Sequence, residues 1–191
     1  MRHTWLVAAV LTVGLTSGCA DHSPPSAEPS QPASVRLTSY DGLVRETGKY
    51  LAFAVLDGRA RGFYCDSQDE AWFEGNAKDG VVTLLNSGNK QRIGFFNTLE
   101  GVGSFWSEGR LLTFQAAPVD KSAGLYRAQS PDGQLVGGWV VLPNGDQVGA
   151  VTNNGVNQPA PTIKPGTQRT VTINGQQLPL KSGLELLTSS G

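Results

Sequence analysis

The chain has 191 residues, 39% of them hydrophobic and 16% charged, with 15 Lys and Arg against 16 Asp and Glu for a net charge of −1. That is apolar enough to bury one core, too weakly charged for a disordered acidic or basic tail, and too short for two ordinary domains. No basic block is present to neutralise a phosphate backbone, so no nucleic-acid partner is expected.

The amino-terminal segment carries Arg2 and then an eleven-residue apolar run from Trp5 to Leu15. Eleven helical residues rise about 16 Å, roughly half of a ~30 Å hydrocarbon core, so the run is too short for a permanent span. A positive start, a short apolar core and small residues after it read as a secretory signal peptide over residues 1–18. The residues that follow the core, Leu15-Thr16-Ser17-Gly18-Cys19, resemble the bacterial lipoprotein box, with Thr16 where that family usually has Leu. The resemblance implies cleavage between Gly18 and Cys19 and a diacylglyceryl thioether on Cys19, often with a further acyl chain such as palmitate on the new amino terminus. It also implies a position at the cell membrane, on its extracytoplasmic side. Two acyl chains at ~0.8 kcal/mol per buried CH₂ hold a protein durably where one holds it marginally. The alternative is ordinary secretion with cleavage after Ala20.

Residues 19–34 form the lipidated Cys and a tether. Ala20 to Ser34 contains four Pro, four Ser and no large apolar side chain, so it has nothing to bury. Fifteen residues of polyproline-like chain reach at most about 45 Å.

From residue 35 to 156 the composition is that of a β domain. Turn signals recur about every 9–12 residues. They are Asp57-Gly58, Ser67-Gln68-Asp69, Asp79-Gly80, Ser87-Gly88-Asn89, Glu100-Gly101, Glu108-Gly109, Pro118 to Lys121, Asp132-Gly133, Asn144-Gly145 and Asn154-Gly155. Asp-Gly and Asn-Gly tolerate the positive φ of tight hairpins. Between them lie runs rich in β-branched and aromatic residues: 50–56, 62–65, 71–73, 81–85, 93–96, 102–106, 111–116, 135–142 and 148–152. The one helix the pattern allows is a short one within Tyr40 to Lys49. Closure removes sheet edges, so the expected fold is all-β, an antiparallel up-and-down meander closed or nearly closed into a barrel of about 8–10 strands. A two-sheet sandwich is the alternative. Gly94, Gly103, Gly137 and Gly138 inside strands are expected at bends or bulges. Residues 157–169, with three Pro, read as a linker, and 170–191 as a C-terminal hairpin about Asn174-Gly175 with a tail.

The two histidines are His3 and His22, so the β domain contains no imidazole. Ser-His-Asp and Cys-His nucleophilic centres and His-ligated metals are therefore excluded as usually built, and no motif implies a cofactor. Cys65 reads as a small buried residue in a strand. Asp66, Asp69, Glu70 and Glu74 crowd Trp72. They read as a solvated face, with calcium ligation and a paired-carboxylate hydrolase as the sharper alternatives. Trp72, Trp106 and Trp139 are expected in the core or lining a pocket at a barrel mouth.

Three stretches carry a second resemblance. They are Tyr64-Cys65-Asp66 with Ala71-Trp72-Phe73-Glu74-Gly75, then Ala123 to Ala128 (AGLYRA), then Gly137 to Pro143 (GGWVVLP) leading into Gln147-Val148-Gly149. Together they resemble a domain of uncharacterised actinobacterial secreted proteins and lipoproteins, mycobacterial ones among them, over about residues 45–155. That likeness implies an envelope location and supplies no activity. The expected function is a membrane-anchored lipoprotein presenting a non-catalytic β domain to an envelope protein or small apolar ligand. The rivals are a carrier of an apolar ligand inside the barrel and a carboxylate-based hydrolase.

Overall fold

The computed structural model describes residues 37–65, 70–120 and 122–189; the expected signal peptide and tether lie outside them. Val35–Gly191 forms one unit. Its first eight strands are β1 (Thr38–Val44), β2 (Tyr50–Leu56), β3 (Arg59–Cys65), β4 (Glu70–Lys78), β5 (Val81–Asn86), β6 (Arg92–Asn97), β7 (Val102–Ser107) and β8 (Arg110–Val119). They form a closed antiparallel barrel in chain order. The ten-residue β8 closes it: its first half pairs with β7, and its second half pairs with β1 from Val44↔Phe114 to Ser39↔Val119.

Six further strands make a curled sheet in the order β12-β11-β10-β9-β14-β13. They are β9 (Gly124–Gln129), β10 (Leu135–Val141), β11 (Gln147–Asn153), β12 (Val156–Pro159), β13 (Thr170–Ile173) and β14 (Gln176–Ser182), and a short helix α1 (Gly183–Thr188) follows. The closed meander agrees with the sequence-based expectation.

The hairpins follow from local chemistry. At Asp57-Gly58, Asp79-Gly80, Glu108-Gly109, Asn154-Gly155 and Asn174-Gly175 both turn residues have positive φ. That is the two-residue type I′ geometry, whose twist matches the flanking strands. The segment Tyr40 to Lys49 is not helical. Strand β1 occupies its first half, because Tyr40 and Val44 point into the barrel while Gly42 lies against β8. A Cβ on Gly42 would lie 2.1 Å from the Gln115 carbonyl oxygen.

Residues 157–169 run along the sheet: 157–159 complete β12, Ile163 is buried, and the Pro161 carbonyl accepts a 2.8 Å hydrogen bond from Trp139 Nε1. The C-terminal hairpin docks through Leu180↔Ala128 and Lys181↔Arg127 and extends the sheet beyond β9.

Seven rings fill the barrel interior: Tyr40, Phe53, Tyr64, Phe73, Phe96, Phe105 and Phe114. Their centroids stand 5.0–6.1 Å apart, in stacked, tilted and edge-on pairs. A ligand inside would have to displace rings whose burial stabilises the fold by about 3–5 kcal/mol each. The sheet's concave face has its own core around Trp139, Tyr126, Val151 and Ile173.

A third cluster joins the two parts. Ala52, Phe63 and Cys65 on the outer wall of the barrel meet Leu125, Val140 and Ala150 of the sheet. Gly138 sets the approach, because a Cβ there would lie 2.4 Å from Phe63 Cζ. Gly138→Val is expected to destabilise the fold by about 1–3 kcal/mol through overpacking. Denaturant unfolding checks this, and unchanged stability would show that the contact does not govern how the sheet seats.

Candidate functional site

The outer faces of β3 and β4 present three cross-strand pairs in register: Cys65 opposite Glu70, Phe63 opposite Trp72, and Arg61 opposite Glu74. Cys65 is buried, as expected. Strand alternation puts Phe73 inside the barrel and Trp72 outside, where the indole meets Phe63 at 4.3 Å between centroids. From the sheet, Arg127 of β9 lays its guanidinium 4.4 Å from the centre of the Trp72 ring. Such a cation–π contact contributes about 0.5–2 kcal/mol, more as water is excluded.

Glu70 accepts a hydrogen bond from the Thr152 hydroxyl of β11. Burial raises its carboxyl above the usual range, against the opposing pull of Thr152 and the Arg127 charge. Glu74 behaves oppositely. Burial pushes it up, but hydrogen bonds from Lys90, at 2.6 Å, and Arg61 outweigh that and hold it below the usual range. Burial lowers the Arg127 guanidinium, Arg61 adds to this, and Glu70 and Glu74 oppose it. Among the described residues four buried side-chain polar atoms lack a hydrogen-bond partner, and three belong to this cluster: Glu70 Oε2, Trp72 Nε1 and Arg127 Nε.

The cluster borders a cavity of about 500 Å³ lined by Arg61, Trp72, Arg127, Gln129, Ser130 and Lys181. Pro131, Pro179 and Leu186 of α1 supply its apolar wall. The described lining thus carries three cations and no carboxylate. Around the start of α1 a second cavity of about 600 Å³ is largely apolar, lined by Leu37, Leu56, Leu125, Tyr126, Leu180 and Leu184 among others.

The three tryptophans are not brought together. Trp72 lines the cationic cavity, and Trp139, 1% exposed, is core of the sheet. Trp106 is 57% exposed on the barrel wall, which corrects its expected place in a core or pocket. Its neighbour Phe105 takes the inward position of β7, so Trp106 must face out. Gly18, Cys19, His3, His22, Asp66 and Asp69 lie outside the described residues. Glu70 and Glu74 stand four residues apart on one strand, about 13 Å between their α-carbons. They are drawn to different partners, unlike a glycosidase pair spanning about 5–10 Å. Among the described residues no cluster of His, Cys, Asp and Glu has the arrangement of a metal site.

Sequence reasoning found Glu70, Trp72 and Glu74 but missed Arg61, Arg127 and Lys181. Arg127 lay within the AGLYRA stretch, with no local sign that its strand would cross Trp72. No family model, curated protein or solved structure matches the chain.

In the folded chain Glu70 takes up its proton at higher pH than in the unfolded chain. Its contribution to stability is therefore present at low pH and lost as pH rises through the raised folded value. Glu70→Gln keeps an acceptor for Thr152 and removes the charge. The variant is expected to gain stability relative to the parent between about pH 4 and pH 7. Urea unfolding across that range measures the gain, and a difference that does not vary with pH would contradict the assignment.

Proposed function

We propose that the chain is a bacterial envelope lipoprotein whose β domain is a non-catalytic binding module, anchored through Cys19 at the extracytoplasmic side of the cell membrane. The observation that carries this reading is the order Trp5-to-Leu15 apolar run, Ser17-Gly18-Cys19, then a tether with four Pro. Acyl chains on one thiol supply the membrane affinity, so the domain itself needs no lipid-binding surface to stay there. No helix among the described residues is long and apolar enough to cross a membrane. The actinobacterial likeness points to the same compartment.

The binding role is supported by the groove between barrel and sheet. It is a concave site of ordinary ligand-pocket size with convergent polar groups. The absence of histidine from the β domain and the separate partners of Glu70 and Glu74 favour binding over hydrolysis. A second reading, capture of a small apolar ligand, is favoured by the cavity beside Leu37 and Leu184. Its place is then outside the barrel, since seven rings occupy the interior.

Cys19→Ser is expected to move the protein from the detergent phase to the aqueous phase on detergent partitioning of cells. It should also abolish fatty-acid labelling of the polypeptide. A variant that partitions and labels like the parent would overturn the anchor.

A further inference from the structure

We propose that the cationic cavity between barrel and sheet binds a phosphate group, carried by a small phosphate ester or by a phospholipid headgroup. This rests on the binding-module reading above and names the ligand class of that site.

The first support is charge. Arg61, Arg127 and Lys181 converge on one cavity from β3, β9 and β14, and no acid is among the described lining residues, although Glu74 pairs with Arg61 from outside it. Glu74 is shared by Arg61 and Lys90, so that triad keeps a net positive charge. Lys181 is exposed; its ammonium donates to Ser189 Oγ at 3.1 Å, and its charge acts on Glu185, which Arg169 bonds at 3.3 Å. Three cations exceed what a single carboxylate requires and suit a dianion. Guanidinium groups hydrogen-bond phosphate in a fork, and lysine meets it as a point charge.

The second support is the state of Arg127. A guanidinium half removed from water and left with an unpartnered Nε is costly unless something answers it. The Trp72 ring orients it but accepts no strong hydrogen bond, and Glu70, whose carboxyl burial raises, forms no ion pair with it within the described contacts. A bound phosphate would supply the acceptor.

The third support is what the indole can no longer do. Phe63 and Arg127 both lie within 4.4 Å of the Trp72 ring centre, so the indole is already engaged by protein groups. Recognition at this site therefore runs through the cations, with Gln129 and Ser130 as further hydrogen-bonding groups and Pro131, Pro179 and Leu186 against the body of the ligand.

The test titrates the full chain carrying Cys19→Ser with inorganic phosphate, with glycerol 3-phosphate, and with vesicles of phosphatidylglycerol or of phosphatidylcholine. Calorimetry gives the affinities at low ionic strength. Saturable binding in the soluble arm, the phosphatidylglycerol arm or both supports the site, and the arm that binds more tightly identifies the source of the phosphate. Arg127→Lys, which keeps the charge but loses the fork, is expected to weaken binding about tenfold. Lys181→Gln, on an exposed side chain that the fold does not need, is expected to weaken it about threefold. Lys78→Gln, on an exposed residue outside this cavity, serves as the control and should bind like the parent. No binding in any arm by protein that retains its β-sheet circular dichroism overturns the proposal. So does equal affinity of Lys181→Gln, Lys78→Gln and the parent. Detergent partitioning of Cys19→Ser reports separately on the anchor, so loss of either reading leaves the other standing.

Discussion

The seating of Phe63 against Gly138 is the contact on which the arrangement of this domain depends. The barrel is filled by its own rings, so its interior has nothing to offer another element. Its outer wall at Ala52, Phe63 and Cys65 is apolar and must be covered, and only a strand lacking a side chain at the crossing point allows the sheet to come close enough. Gly138 provides that notch, and Leu125, Val140 and Ala150 close around it. Because β9 pairs with β10 at Arg127↔Gly138, fixing the glycine on Phe63 also fixes Arg127 beside Trp72. The packing contact and the cationic site are one register seen from two strands.

That register explains why the groove has a polar end. Along β9 the residues facing the barrel are Leu125, Arg127 and Gln129. Leu125 continues the apolar seam. An apolar residue at 127 would extend it, since replacing buried charge by well-packed hydrophobic volume is often neutral or stabilising. The guanidinium instead sits where the local packing rule asks for an apolar side chain, with an orphaned nitrogen and a partly desolvated charge. Such breaks in an otherwise consistent pattern concentrate at functional sites. Here the break coincides with the cavity.

Much of the fold was legible because its turns are chemical. Asp-Gly and Asn-Gly pairs mark the hairpin φ values, and the β-branched and aromatic runs between them became β2 to β8, β10 and β11. Strand β1 was obscured because the segment from Tyr40 to Lys49 read as the one place for a short helix, while its strand conformation is imposed by pairing to β2 and β8. Strand β12 was hidden by Pro159 at its end and Pro161 just beyond it, which an edge strand tolerates. The site was legible only in part. Phe105-Trp106 and Phe73-Trp72 are adjacent aromatics, and composition does not decide which member faces inward. The closed register does. Arg61, Trp72, Arg127 and Lys181 come from distant positions on two sheets, so no local window contains the cavity.

Net charge hid the site as well. A chain at −1 has no global field to attract an anion, which is why no nucleic-acid partner is expected from the sequence. Charge acts locally, however, over about a Debye length of ~8 Å at physiological salt. Within that range the fold collects Arg61, Arg127 and Lys181 on one concave wall. No acid is among the described residues of that wall: Glu74 is shared between Arg61 and Lys90, and burial favours the protonated form of Glu70. A nearly neutral chain thereby acquires a confined positive site without a basic surface.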